Sequence, residues 1–423
     1  MSLLIKNGRV IDPANNLDDI SDVFVSNGVI ETVRRDVSKI AETVVDAAGC
    51  WVVPGFIDLH VHLREPGYEY KETIAAGSRA AVAGGFTTIC CMPNTSPVID
   101  SPEILAYVRS RAGAYAKVLP IASITLGQKG ERLSDMALLK NAGAYGFSED
   151  GKSVLNALIM KQALEHAATL GLPVLDHCED INLANGGVIN EGEVSRRMKL
   201  PGIPSAAEDI ITARDLLLAE SAGAQIHICH ISTAVSARLL KEAKARGVNA
   251  SGEVCPHHFC LCDEDIPEDN GNYKMNPPLR SYADMEAMRR ALADDVIDII
   301  ATDHAPHSDT DKTGGFLKSA FGVTGLETAL GLCITVLVNN GVLSPSRLIR
   351  KLTVNPARTL GINAGTLSAG ALADIAVIDP ERQWAVNPTL FISKGKNTPF
   401  GCKTLSGMIK YTVVNGRVVY GDR

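Results

Sequence analysis

Hydrophobic and polar positions follow two different rhythms along this chain. Near both ends they form short alternating runs broken by Asn-Gly pairs. Leu3-Leu4-Ile5-Lys6-Asn7-Gly8-Arg9-Val10-Ile11 is two apolar runs split by Asn7-Gly8. Asp22-Val23-Phe24-Val25-Ser26-Asn27-Gly28-Val29-Ile30 repeats the arrangement, and 408–420 repeats it around Asn415-Gly416. Asn-Gly between strand-like runs predicts a hairpin, because both residues accept the positive φ that a two-residue turn demands. The two β-rich ends, 1–53 and 364–423, are expected to assemble one small β-sandwich. Two unrelated hairpins packed on the core are the alternative.

The middle, 54–363, alternates strand with helix. Strand candidates lie at 55–63, 87–93, 118–125, 144–149, 172–178, 226–231, 248–255 and 297–302. Ala- and Leu-rich amphipathic stretches separate them, at 72–83, 102–112, 134–142, 154–170, 205–222, 232–246 and 283–293. Such alternation predicts a parallel sheet with crossover helices. Eight units closing on themselves predict an α/β fold, a (β/α)8 TIM-like barrel with its site at the C-terminal strand ends. An open doubly wound sheet would place a glycine-rich phosphate turn after its first strand. That position carries His60-Val61-His62-Leu63-Arg64 instead, and Gly84-Gly85 and Gly186-Gly187 read as turns.

The strand ends then change the picture. Residues i and i+2 of a strand share a face, with Cα atoms roughly 6.5–7 Å apart. His60 and His62 can therefore lean onto one metal ion, with Arg64 continuing on that face. Later strands end in Ser148-Glu149-Asp150, Asp176-His177-Cys178-Glu179, His227-Ile228-Cys229-His230 and Thr302-Asp303-His304. Parity sorts them. Asp303 is taken as inward and His304 as packing; His230 as ligand and His227 as structural. His257 and His258 are assigned no ligand role, although one could hold a ligand from behind, and His166 sits mid-helix. The expected ligands are His60, His62, Asp150, His177, His230 and Asp303. Six exceed the needs of one tetrahedral zinc and suit two metals bridged by a carboxylate, which acidify water and polarise a carbonyl.

Composition narrows the class. Apolar residues make up 46% and charged residues 21%, and the net charge is −7, which argues against a nucleic-acid footprint. No apolar run reaches the roughly 18 residues of a membrane span. The N-terminal run is too short for a signal peptide, so a cytoplasmic enzyme is expected. The ten cysteines lack a C-x-x-C spacing, and Cys260-Leu261-Cys262 lacks a second pair for a structural zinc.

These residues resemble the dihydroorotases of the amidohydrolase superfamily, in their type I bacterial form. The carriers are 54–67, Met92-Pro93-Asn94-Thr95, 147–151 and Ala301-Thr302-Asp303-His304-Ala305-Pro306-His307. The resemblance implies a distorted barrel with a terminal β-sandwich. It implies Zn2+, with His60 and His62 on one ion, His177 and His230 on the other, Asp150 as bridge and Asp303 as ligand and general base. Relatives with a carboxylated lysine bridge, such as hydantoinases and allantoinases, differ at Asp150. It further implies that Arg64, Asn94 and His307 bind a substrate carboxylate, and that Asn276, Phe321 and Gly322 hold a pyrimidine ring. The implied reaction is reversible cyclisation of N-carbamoyl-L-aspartate. A carboxylate-free cyclic amide is one rival substrate; a non-catalytic scaffold for aspartate transcarbamoylase is another reading. Assembly partners consistent with the resemblance are a second copy of the chain and aspartate transcarbamoylase. The polar stretch 309–315 could close as a lid.

Overall fold

The computed structural model describes residues 2–113 and 115–421. Met1, Ala114, Asp422 and Arg423 lie outside the described residues, so the outermost positions of the two β-rich ends are not covered. The chain opens with β1 (Ser2–Asp12), β2 (Leu17–Ser26), β3 (Val29–Arg34), β4 (Thr43–Asp46) and β5 (Trp51–Pro54). The alternating middle follows with β6 (Phe56–Val61), β7 (Phe86–Cys91), β8 (Lys117–Pro120), β9 (Ala122–Ser123), β10 (Phe147–Ser148) and β11 (Val174–Asp176). A two-stranded ribbon, β12 (Ile189–Asn190) and β13 (Gly202–Ile203), precedes β14 (Ile226–Ile228), β15 (Ala250–Val254) and β16 (Ile299–Ile300). The C-terminus adds β17 (Ile375–Ala385), β18 (Thr404–Val414) and β19 (Arg417–Gly421).

Strands from both ends share one eight-stranded sheet, in the order β19-β18-β17-β5-β1-β2-β3, with β4 also paired to β1. The sheet folds back on itself: Ile30 N–H donates to Ala371 O and Ala373 N–H to Gly28 O, both at 2.9 Å. Leu3, Ile5, Val23, Val52, Ile375 and Val413 fill the enclosed core. Of the three Asn-Gly pairs in the two β-rich ends, two make hairpins. Asn27-Gly28 joins β2 to β3 and Asn415-Gly416 joins β18 to β19.

Asn7-Gly8 does not, which corrects the expectation. β1 runs straight through it, and the register with β2 slips between Ile5 and Gly8. Asn7 takes φ +64° and its N–H donates to Asp22 Oδ1 at 2.9 Å. The local preference of Asn-Gly for positive φ serves a β-bulge here, because β1 finds its partner beyond the next turn. Gly8 also clears the way for β5: a Cβ there would stand 2.4 Å from Val52 Cγ2.

All eight expected barrel strands form. β6, β7 and β8 pair in parallel; β9, β10, β11, β14, β15 and β16 continue in order, the chain passing from β8 to β9 through Ile121. A parallel bridge between Val61 and His304 closes the ring, and His62 N–H donates to His304 O at 2.9 Å. Every residue of β6 is buried, as expected of a parallel strand covered on both faces. Asp58 locks the closure from inside the strand, accepting from Thr302 Oγ1 at 2.6 Å and from His60 N–H at 3.0 Å. Burial pushes its carboxyl up to about 7. Crossover helices start at their caps: Thr73 accepts from Ala76 N–H before Ile74–Ala83, and Thr233 from Ser236 N–H before Ala234–Ala245. Ile11, Trp51, Val53 and Ile409 of the terminal sheet join the same core as Phe56, Phe86 and Leu105 of the barrel. No helix among the described residues is long and apolar enough to cross a membrane.

Candidate metal centre

Six barrel strands, β6, β10, β11, β14, β15 and β16, deliver imidazoles and carboxylates to one rim. Asp150 is the hub. Its Oδ1 lies 3.2 Å from His60 Nε2, 3.6 Å from His177 Nδ1 and 3.8 Å from His230 Nε2. Its Oδ2 lies 3.5 Å from His62 Nε2. Asp303 Oδ1 stands 3.1 Å from His62 Nε2 and 3.7 Å from His60 Nε2. His177 Nδ1 and His230 Nε2 approach to 2.9 Å. All six expected ligands are thus gathered in one buried cluster.

The cluster has the character of a cation site. Ligand atoms of His60, His62 and Asp303 lie within 4.8 Å of one another, as do those of His60, Asp150 and His230. His60 Nε2 is fully buried and makes no hydrogen bond, an orphan that a cation would satisfy. Burial alone would raise the carboxyls of Asp150 and Asp303. The imidazoles around them reverse that and hold both well below the usual carboxylate range. Burial pulls the His177 ring down, yet Asp150 and Glu179 outweigh it and push it up to about 10. Two ionised carboxylates among four imidazoles form a donor set that suits a borderline divalent cation.

Four of the six ligands are held from behind. Glu253, buried in β15, takes His60 Nδ1 at 3.0 Å and His227 Nε2 at 2.9 Å. The two imidazoles overcome the cost of burial and bring its carboxyl down to about 2. Asn94 Oδ1 meets His62 Nδ1 at 2.9 Å while its amide donates to Asp150 Oδ2 at 3.0 Å. Glu179 Oε2 lies 3.4 Å from His177 Nε2 and accepts from Asn276 Nδ2 at 3.1 Å. These supports, not His257 or His258, orient the rings; His258 Nε2 donates to Pro277 O at 3.0 Å instead. His227 packs behind the site and His166 is exposed on its helix. Glu149, beside Asp150, turns away to Thr125 N–H at 3.0 Å, and His304 turns to Gly325 N–H at 3.2 Å.

Sequence reasoning missed Glu253, Glu179 and Asp58. An acid inside an apolar strand is the signal that could have found the first and last. It also carried strand parity too far. β6 ends at Val61, β14 at Ile228 and β16 at Ile300. Arg64, His230 and Asp303 lie beyond, at φ +61°, +34° and +46°, where alternation no longer applies. Backbone of this kind costs about 1–3 kcal/mol per residue and is tolerated where surrounding structure demands it.

A cavity of about 150 Å³ opens over the cluster, lined by Arg64, Asn94, Asn276, Phe321 and Gly322 besides the ligands. Among the described residues no carboxylate comes within ion-pair range of Arg64. Glu65 next to it is turned to Ile74 N–H at 2.8 Å and Tyr107 OH at 2.9 Å. The guanidinium touches only Pro306 O at 3.3 Å and His307 Nε2 at 3.2 Å. The stretch 309–315 forms a short 3₁₀ turn at Thr310–Lys312. Lys312 Nζ pins it by donating to the carbonyls of Lys274, Ala320 and Gly322 at 3.0, 2.7 and 2.9 Å.

Known proteins carry the same framework. Residues 49–236 match the "Dihydro-orotase-like" family and residues 200–420 the "Amidohydrolase family". A dihydroorotase of Pelotomaculum thermopropionicum is 51% identical over 100% of this chain and 99% of its own length. One from Syntrophus aciditrophicus is 49% identical over 100% of both chains. Among solved structures, the L-hydantoinase of Arthrobacter aurescens superposes with a TM-score of 0.89 at 25% identity, covering 99% of this chain and 96% of that one. A D-hydantoinase from Thermus sp. gives 0.84 at 26%, covering 99% and 95%. A barrel with a terminal sandwich, imidazoles and acids converging at its mouth, and full-length identity near one half lead to one assignment: the chain belongs to the dihydroorotase family of metal-dependent amidohydrolases, enzymes that act on a cyclic amide.

Proposed function

We propose that the chain catalyses the reversible cyclisation of N-carbamoyl-L-aspartate to (S)-dihydroorotate, the third step of pyrimidine (UMP) synthesis, with two zinc ions held by His60, His62, Asp150, His177, His230 and Asp303. The carrying observation is Arg64, a guanidinium beside two ionised aspartates with, among the described residues, no carboxylate partner of its own. A ring carboxylate supplies that partner in a two-pronged grip that lysine cannot reproduce.

Bound zinc would polarise the ring amide carbonyl and make water a nucleophile at neutral pH. His60, His62 and Asp303 would form one donor set and His177 and His230 the other, with Asp150 available to both. Asp303, kept ionised, takes a proton from the attacking water and returns it to the leaving ring nitrogen, as base and then acid. Arg64, Asn94 and His307 seat the ring carboxylate, and Asn276 with the backbone at Phe321 and Gly322 seats the ring. We assign 54–363 to the catalytic barrel, and 1–53 with 364–423 to the sandwich. The cysteines carry free thiols among the described residues, which suits a reducing, cytoplasmic setting. A second copy of the chain or aspartate transcarbamoylase is the assembly partner we would test first.

The test measures metal per chain and turnover of dihydroorotate and of dihydrouracil, the ring without the carboxylate, before and after chelation. We expect close to two zinc ions, activity on dihydroorotate that chelation abolishes, and little on dihydrouracil. Arg64→Lys should lower kcat/KM for dihydroorotate roughly 30- to 100-fold, the weight of a charge-assisted hydrogen bond pair. Equal turnover of both rings, or an indifferent Arg64→Lys, would favour a hydantoinase-like substrate. A metal-free, inactive protein would favour the scaffold.

A further inference from the structure

A second cation near the substrate pocket, Lys71, has no part in the roles above. Its ammonium lies 3.3 Å from His307 Nδ1 and 3.7 Å from Asp311, over the rings of Tyr68 and Tyr70 at 5.7 and 5.4 Å. An ammonium only donates, so His307 Nδ1 is the acceptor and the ring proton sits on Nε2. That N–H donates to Phe321 O at 2.7 Å, and it is the one proton His307 has to share with a substrate carboxylate. Arg64 stands 3.2 Å from the same Nε2, but two donors do not bond each other, so this edge of the guanidinium stays free for an anion.

The opposite tautomer would reverse both relations. A bare Nε2 would accept from Arg64 and occupy it, and its lone pair would face the Phe321 oxygen. Asp311, 3.9 Å from Nδ1, would favour that tautomer if the ammonium were absent. Burial, Arg64, Lys71 and Lys312 keep the ring neutral, with its pKa pushed down to about 2, so the choice between tautomers is open to such neighbours.

We propose that Lys71 is a positioning residue: its hydrogen bond to His307 Nδ1 fixes the Nε2-protonated tautomer, which leaves Arg64 free to grip the substrate carboxylate and anchors the Phe321 carbonyl at the cavity wall. The kinetic half of this inference rests on the dihydroorotate reading above; the tautomer half does not.

The experiment uses the metal-loaded full chain with 15N-labelled histidine, the His307 signals being assigned by their loss in His307→Gln. Wild type should show a protonated Nε2 and a bare Nδ1. Lys71→Met should move the proton toward Nδ1 and raise KM for dihydroorotate roughly tenfold, with kcat near wild type. Lys71→Arg, which keeps the donor, should restore both. An unchanged His307 ring spectrum in Lys71→Met, or an unchanged KM, overturns the proposal. If wild type itself leaves dihydroorotate untouched, the substrate reading fails while the nitrogen spectra still decide the role of Lys71.

Discussion

Glu253 illustrates how one buried side chain sets the chemistry of others. It is fully enclosed, and it meets both His60 Nδ1 and His227 Nε2. Accepting a hydrogen bond from His60 Nδ1–H leaves the Nε2 lone pair of that ring facing the cluster, which is the form a cation needs. His257 shows the opposite case, a buried imidazole that forms no ion pair or hydrogen bond with an acid among the described residues. Burial lowers its pKa to about 4, and its Nε2 makes no hydrogen bond. Its ordinary value of about 6.5 returns on unfolding, so the unfolded chain binds the extra proton more readily between the two values. This residue therefore supports stability above about pH 6.5, and the support drains as pH falls toward about 4. Urea unfolding at pH 7 and pH 5 should show the wild type losing more than His257→Gln, by roughly 2 kcal/mol. Equal losses in the two proteins would remove His257 from the account.

The segment after β6 explains why one stretch dominates the site. Within five residues it passes from His60 in the strand, through His62, to Arg64 in a left-handed conformation. Gly67 completes the return, at φ +96°, against the turn that follows β7. A Cβ on Gly67 would stand 2.1 Å from Ser96 O, and Ser96 N–H donates to Pro66 O at 3.0 Å. The two turns that carry Arg64 and Asn94 are thus braced against each other. Gly67→Ala should separate them, costing about 2 kcal/mol or more in urea unfolding and lowering kcat/KM in the same variant. A stability equal to wild type would show that the brace is slack. Element by element, the period was legible in the sequence, because hydrophobic alternation acts over a few residues. The bulge at Asn7-Gly8 was not, since the same dipeptide makes a hairpin or a bulge according to which strand lies opposite.

The terminal sheet and the barrel hold one another. β5 lies between β17 and β1, with Val52 opposite Val377 and Val10. Trp51 and Val53 meanwhile share a core with Phe56 and Phe86 of the barrel. Removing 364–423 would strip β17 from β5 and uncover apolar residues on the barrel side. The truncated chain should aggregate or lack a cooperative transition, and the full chain should melt in one transition seen alike by near- and far-ultraviolet circular dichroism. A soluble truncated barrel with a native-like melt would show that the two parts fold apart. Eight strands, their order and the polar residues at their ends could be read from 423 letters, because each depends on neighbours a few positions away. Glu253 behind His60, Lys71 against His307 and the want, among the described residues, of an ion pair to Arg64 could not. Those relations join residues 193 and 236 positions apart, or record a missing partner, and only closure of the barrel brings such groups within reach.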